Sequence, residues 1–261
     1  MSQNLTVLLH EKRIDELRVI IYHKLTMPQP FLFSVIDKAI YDYKMIEDGD
    51  RILVGASGGK DSTVLIQYLA NRMKRRDESF TFTAMHVQTE ITPPLNKELS
   101  ALFASWNVVP ETLDVNVLGR LKPGRSMNCW WCSCQRRTEL LSYALAHGYN
   151  KLALGHHLDD ILETLLMNMI GKGQLATMAP RMQYKNYPLT VIRPLCYADV
   201  DSIVDHAEKS GFKSSTCTCT YQDNSGRKDA RHKLDVLTDG DPLKKKRMLA
   251  ALKNIYPEYL P

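Results

Sequence analysis

The chain has 261 residues, 44% of them hydrophobic and 24% charged, enough to build a full core in one large domain or two small ones. Its 34 Lys and Arg against 29 Asp and Glu leave a net charge of +5, a mild excess that points to a polyanion partner only where the cations share one surface. No apolar run approaches the roughly 20 residues of a membrane span, and Met1-Ser2-Gln3-Asn4 lacks the basic region and cleavage site of a signal peptide, so a cytoplasmic protein with no membrane partner is expected.

Residues 5–25 carry an amphipathic pattern (Leu8, Leu9, Ile14, Leu17, Ile20, Ile21) that breaks at Pro28-Gln29-Pro30. Residues 31–43 have helical spacing, and Glu47-Asp48-Gly49-Asp50 reads as a turn before a strand over 51–56. From there the pattern alternates: helix 61–75, strand 80–87, helix 95–106, strand 108–113, helix 135–147, strand 151–155, helix 159–170. Such alternation predicts a parallel sheet with helices on both faces and a ligand at the carboxyl ends of the strands. Beyond Ile192-Arg193-Pro194-Leu195 the chain reads as helical, with a polar loop over 214–226.

The first strand ends in Ser57-Gly58-Gly59-Lys60-Asp61-Ser62. Two glycines let backbone N–H groups approach an anion, and the free amides of the helix start, with Ser57, Ser62 and Lys60, supply donors and charge. A tight turn capped by Asp61 or Ser62 needs only one of these residues, so a phosphate cradle explains more of the string. It is not a Walker A loop, because Asp61 follows Gly59-Lys60 and no glycine stands at position 54. Gly155-His156-His157-Leu158-Asp159-Asp160 repeats the geometry at a later strand end. Either Asp159 is an N-cap there with His156 and His157 as loop residues, or the string puts a carboxylate at the mouth of the site, where it holds Mg²⁺ or moves a proton.

Five of the six cysteines fall into two groups, Cys129, Cys132 and Cys134, then Cys217 and Cys219, while Cys196 stands apart as a packing residue. Grouped thiols in a reducing compartment point to a metal or to redox chemistry. Spacing admits both a four-thiolate zinc site and a three-thiolate iron–sulfur cluster. The expected helix 135–147 would place its positive end, with Arg136 and Arg137, beside these thiols. Trp130 and Trp131 either shield such a centre or belong to the core. Cations cluster at 72–76, at Arg120, Lys122 and Arg125, at Arg136 and Arg137, at 227–233 and at 244–247. Each run alone reads as a solvated face.

Taken together, the turn at 57–62, the C-x-x-C pair and the string at 155–160 resemble the PP-loop ATP pyrophosphatases that thiolate tRNA, and among them the tRNA 2-thiocytidine synthetase family. The resemblance spans roughly residues 35–261 and extends to Arg136-Arg137 and Ile192-Arg193-Pro194-Leu195. It implies a doubly wound parallel α/β sheet of the HUP-like kind, with a helical N-terminal extension (1–48), an ATP domain (49–197) and a helical C-terminal region (198–261) that carries the third cluster cysteine. It further implies that ATP adenylates the C2 oxygen of a tRNA pyrimidine, cytidine 32 above all, and that sulfur displaces AMP. Cys129, Cys132 and Cys219 would hold a [4Fe-4S] cluster. Ala56, Ser57, Gly58, Gly59, Asp61 and Ser62 match the phosphate-binding turn, His86 the adenine site and Gly155 the nucleotide pocket. Asp160 and Arg136 match the catalytic acid and its basic partner, and Lys60 the polyphosphate contact. The partners implied are the anticodon loop of tRNA and a sulfur donor such as a cysteine desulfurase or inorganic sulfide; a homodimer is left open. The competing readings are a PP-loop ligase or amidating enzyme with a structural four-thiolate zinc, and an RNA-binding module with a degenerate nucleotide site.

Overall fold

The computed structural model describes residues 29–74, 79–92, 94–185, 187–212 and 225–259. The segment 5–25, Arg75, Arg76, Cys217 and Cys219 lie outside them. Helix α1 (Phe31–Tyr43) buries Leu32, Phe33, Ile36, Ala39 and Ile40 at helical spacing. There follow β1 (Arg51–Gly55), α2 (Lys60–Arg72), β2 (Thr81–Thr89), α3 (Lys97–Ser105), β3 (Glu111–Val115), α4 (Cys129–Ala146), β4 (Lys151–Ala153), α5 (Leu158–Lys172), β5 (Arg181–Gln183), β6 (Thr190–Ile192), α6 (Val200–Lys209), α7 (Ser225–Thr238) and α8 (Pro242–Ala251).

The six strands stand in the order β3-β2-β1-β4-β6-β5, all neighbours parallel except the β5–β6 edge pair. Side chains alternate across the sheet. Ile52, Val54 and Ala153 face a core shared with α1, α2, α3 and α5, into which Leu234 of α7 and Leu249 of α8 also pack. Leu53, Leu152 and Val191 face the opposite way, under Leu140, Leu141 and Ala144 of α4. The expected α/β layering is therefore present.

Most element ends shift by a few residues from the sequence reading, and three differences have a clear local reason. Pairing of β3 starts at Glu111 rather than at 108, because Val108 N–H still closes α3 through the Phe103 carbonyl and Pro110 has no N–H to donate. Helix α4 begins at Cys129 rather than at 135: extended Asn128 accepts the Trp131 N–H at 2.9 Å and so caps a helix six residues earlier. The hairpin of β5 and β6 has strands of three residues, too short to leave a period-2 signal.

Candidate active site

Strand order reverses between β1 and β4, which lie side by side, so their carboxyl ends open the crevice in which sheets of this kind bind ligands. The turn after β1 is built as the sequence suggests. Gly58 has φ of +83°, a conformation that side chains strain to adopt. Ser57 Oγ and Ser62 Oγ lie 3.0 Å apart, the Gly59 N–H points to Ser57 Oγ at 3.3 Å, and Ser62 and Thr63 hydroxyls both donate to the Gly59 carbonyl at 3.0 Å. Lys60 Nζ reaches Asp61 at 3.0 Å. His86 sits inside β2 rather than at its end. Its Nδ1 donates to the Ala56 carbonyl at 2.8 Å while the Ala56 N–H donates to the Met85 carbonyl, so β2 grips both sides of the residue that opens the turn.

Opposite this turn stands the loop from β4 to α5. A Cβ on Gly155 would meet the Ser62 nitrogen at 3.0 Å and the Asp61 carbonyl carbon at 3.1 Å, so only glycine lets the two loops touch. His157, not Asp159, is the N-cap: its Nδ1 accepts the Asp160 N–H at 3.4 Å and the Asp160 carboxylate accepts the His157 N–H at 3.2 Å. That accepting role leaves the ring proton on Nε2, 3.4 Å from Asp160 and 4.0 Å from Asp61. Burial opposes a charge on Asp160, yet the His157 and His156 rings in their charged forms, the Arg227 guanidinium and the His157 N–H together hold its carboxyl below the ordinary range. A carboxylate so held stays ionised and is suited to bind a cation. Burial, against the pull of Asp160 and helped by Arg193, Arg137 and Arg227, takes His156 down to about 4, so this imidazole is neutral at physiological pH.

Helix α4 forms the third wall. One cavity of about 310 Å³, within the range of small-molecule sites, is lined by Ser57, Asp61, Ser62, Gly155 and Asp160 from the two loops and by Ser133, Arg136, Arg137 and Leu140 from α4. Ala56, His156 and Arg227 also line it. Among the residues singled out from sequence, Ala56, Ser57, Asp61, Ser62, Arg136, Gly155 and Asp160 thus share one space. Gly58, Gly59 and Lys60 belong to the adjoining turn, and His86 stands behind it. At about 100° per residue, Cys129 projects within about 20° of Arg136 and about one turn, or roughly 6 Å, along the axis from Ser133. The cysteine at the start of α4 therefore heads the face that lines the cavity. Cys132 is buried against the sheet, and Trp131 packs there too. Trp130 is 74% exposed and is no core aromatic. Cys196 is fully buried, with burial pushing its thiol up to about 12, which fits packing.

The sequence reading missed how the C-terminal helices are fastened. Three acids in the first turns of α5 each hold a distant cation: Asp159 takes Lys245 at 2.6 Å, Asp160 takes Arg227 at 2.8 Å and Glu163 takes Arg231 at 2.8 Å. Asp159 also accepts the Val200 N–H at 2.9 Å, so it braces α6 and α8 rather than facing ligand. A signal existed, since acids on an otherwise apolar helix need buried partners, and Arg227 and Arg231 repeat at i, i+4.

The residues fit a nucleoside triphosphate. The N-termini of α2 and α5 converge on the cavity, and His156 Nδ1 and Arg136 Nε in its wall, with His86 Nε2 behind it, are buried without hydrogen-bond partners among the described residues. Asp61 and Asp160 supply oxygen donors of the kind magnesium takes. Cys129 and Cys132, one helical turn apart at the positive end of α4, fit two thiolate ligands of an iron–sulfur cluster. Among the described residues no three His, Cys, Asp or Glu converge as a metal site, and Cys219 lies outside them.

A PP-loop domain family matches residues 34–235. The tRNA-cytidine(32) 2-sulfurtransferase of Geotalea uraniireducens is 35% identical over 86% of this chain and 91% of its own length, and that of Syntrophotalea carbinolica 36% identical over 85% and 88%. A U34-tRNA thiolase from Methanococcus maripaludis, solved with its [4Fe-4S] cluster, has the same fold: its TM-score is 0.71 at 20% identity, covering 88% of this chain and 80% of that one. With that coverage and identity, the chain belongs to the PP-loop domain family and, within it, to the tRNA-cytidine(32) 2-sulfurtransferase family.

Proposed function

We propose that this chain is a tRNA sulfurtransferase that uses ATP and a [4Fe-4S] cluster to replace the C2 oxygen of a pyrimidine, cytidine 32, with sulfur. The single observation that carries the reading is the shared cavity, with phosphate-turn residues Ser57 and Ser62 on one wall and Ser133 and Arg136, next to Cys129 and Cys132, on another. The turn amides, Lys60 and the α2 N-terminus would hold the polyphosphate, and Asp61 and Asp160 are the carboxylates that would hold a Mg²⁺ ion, which would offset the phosphate charge. Attack of the C2 oxygen on the α-phosphorus forms an adenylate and releases pyrophosphate. Arg136 and Arg137 face the charge that builds on the phosphorus. Neutral His156 offers an unpaired nitrogen to the base or nucleotide, and Asp160, kept ionised, acts as a carboxylate ligand rather than as a proton donor. Cys129, Cys132 and Cys219 would hold the cluster, which would supply an iron able to carry sulfide. A C2–S bond then forms as the C2–O bond to AMP breaks, so no net oxidation occurs. Sulfide enters as the free ion, or as persulfide sulfur from a cysteine desulfurase that a thiol reductant has brought to the sulfide level with two electrons.

The test is nucleoside mass spectrometry of tRNA from a strain lacking the gene. Loss of 2-thiocytidine supports the reading, and restoration by the wild-type gene but not by a Cys129→Ala copy ties it to the cluster site. An unchanged 2-thiocytidine level refutes it.

A further inference from the structure

Trp130 is the most exposed of the three tryptophans, at 74%, although it stands between two cysteines in the first turn of α4. A solvent-facing indole in water lacks the burial that stabilises this side chain elsewhere. Its direction is informative. Trp130 and Arg137 are seven residues apart and project within about 20° of each other on α4, and Arg137 lines the cavity. Trp130 therefore projects to the same side of α4 as this cavity-lining arginine, about two turns nearer the start of the helix.

The chain leading to Trp130 is strongly positive. Between Asp114 and Glu139 there is no carboxylate side chain and there are five cations, Arg120, Lys122, Arg125, Arg136 and Arg137. Pro123 and Gly124 form a turn in which Gly124 has φ of +76° and the Arg125 N–H donates to the Lys122 carbonyl at 3.1 Å. Such a turn brings its first and fourth residues within about 7 Å at Cα, so Lys122 and Arg125 stand side by side. Arg120 is paired with Glu139 at 2.6 Å, whereas Lys122 and Arg125 are exposed and have no ion pair among the described residues.

We propose that Lys122, Arg125 and Trp130 form a docking lip for an unpaired stretch of RNA. Trp130 stacks a base next to the one that enters the cavity, and the two cations hold flanking phosphates. Every base has a π-face, so the lip selects unpaired over paired RNA without reading sequence. The inference rests on the tRNA reading above and adds where the loop is gripped.

The test measures binding of a fluorescein-labelled anticodon stem-loop, and of a fully paired RNA of equal length, to holoenzyme variants at matched iron content. Trp130→Ala should weaken stem-loop binding about 5- to 150-fold while changing duplex binding less than twofold, and Trp130→Phe should recover most of the loss. Lys122→Ala/Arg125→Ala should reduce the slope of log K against log salt by about 1.4. Stem-loop affinity within twofold of wild type in Trp130→Ala, an equal loss on duplex, or an unchanged salt slope in the double variant overturns the lip and leaves the thiolase reading standing. Wild-type protein that binds neither RNA overturns both.

Discussion

Gly155→Ala tests the contact on which the site is built. The added methyl would lie 3.0 Å from the Ser62 nitrogen and 3.1 Å from the Asp61 carbonyl carbon, where ordinary contacts begin at 3.4 Å. Both neighbours are backbone atoms at the start of α2, so no side chain can rotate away. The β4–α5 loop must retreat by several tenths of an ångström. Overpacking of this kind costs about 1–3 kcal/mol, which for a chain of this size lowers Tm by roughly 2–12 °C. The larger effect falls on function, since the retreat moves Gly155, His156 and Asp160 away from the phosphate turn, and displacements approaching 1 Å cost up to about 100-fold in rate. Titration calorimetry with a non-hydrolysable ATP analogue and thermal melts read the two effects separately. Gly171→Ala is the control, because it lies on α5, the helix that this loop leads into, with nothing within 4 Å of its new methyl. Gly155→Ala with wild-type Tm and wild-type affinity would falsify the close approach of the two loops.

Three further outcomes follow from the same geometry. His156 is held neutral with its pKa down at about 4 against an ordinary 6.5, so the unfolded chain binds its proton first. Stability from this group is complete above pH 6.5 and lost as pH falls toward 4, by about 3 kcal/mol; the lowered Asp160 adds a loss of the same sign at still lower pH. Urea midpoints between pH 7 and 4.5 should show the fall, and His156→Gln should flatten it. Lys245→Ala leaves buried Asp159 with an uncompensated charge and should destabilise the fold by about 3–5 kcal/mol, whereas Asp159→Asn/Lys245→Met should recover most of that by equilibrium unfolding. Arg227→Ala removes one of the cations that keep Asp160 ionised, so the acid limb of pyrophosphate release should move to higher pH. An unmoved limb detaches Asp160 from that step.

Much of the site could be read from local strings, because the chemistry sits in loops that follow strands. Ser57 to Ser62 and Gly155 to Asp160 each announce a strand, a turn and a helix start, and α/β alternation brings both to the same edge. What stayed hidden depends on contacts between residues far apart in the chain. Asp159 with Lys245, Asp160 with Arg227 and Glu163 with Arg231 are separated by 86, 67 and 68 residues, and nothing local chooses among the acids and cations available. These pairs also change the meaning of the basic clusters: Arg231 and Lys245 brace α5, Arg72 pairs with Asp37, and Arg136, Arg137 and Arg227 face the cavity. The early start of α4 was masked by Cys129, Trp130, Trp131 and Cys132, whose modest helix propensities concealed a cap at Asn128.

The most direct measurement joins the ATP turn to the cysteine helix in one reaction. Protein reconstituted anaerobically with iron and sulfide is mixed with ATP, Mg²⁺, sulfide and unmodified tRNA, and the tRNA is digested and analysed by mass spectrometry. The account predicts a brown protein that forms one 2-thiocytidine per tRNA only when ATP is present, with colour and product both lost in Cys129→Ala. A colourless, zinc-loaded chain that forms the same product, or ATP cleavage that never leads to sulfur in the tRNA, would contradict it.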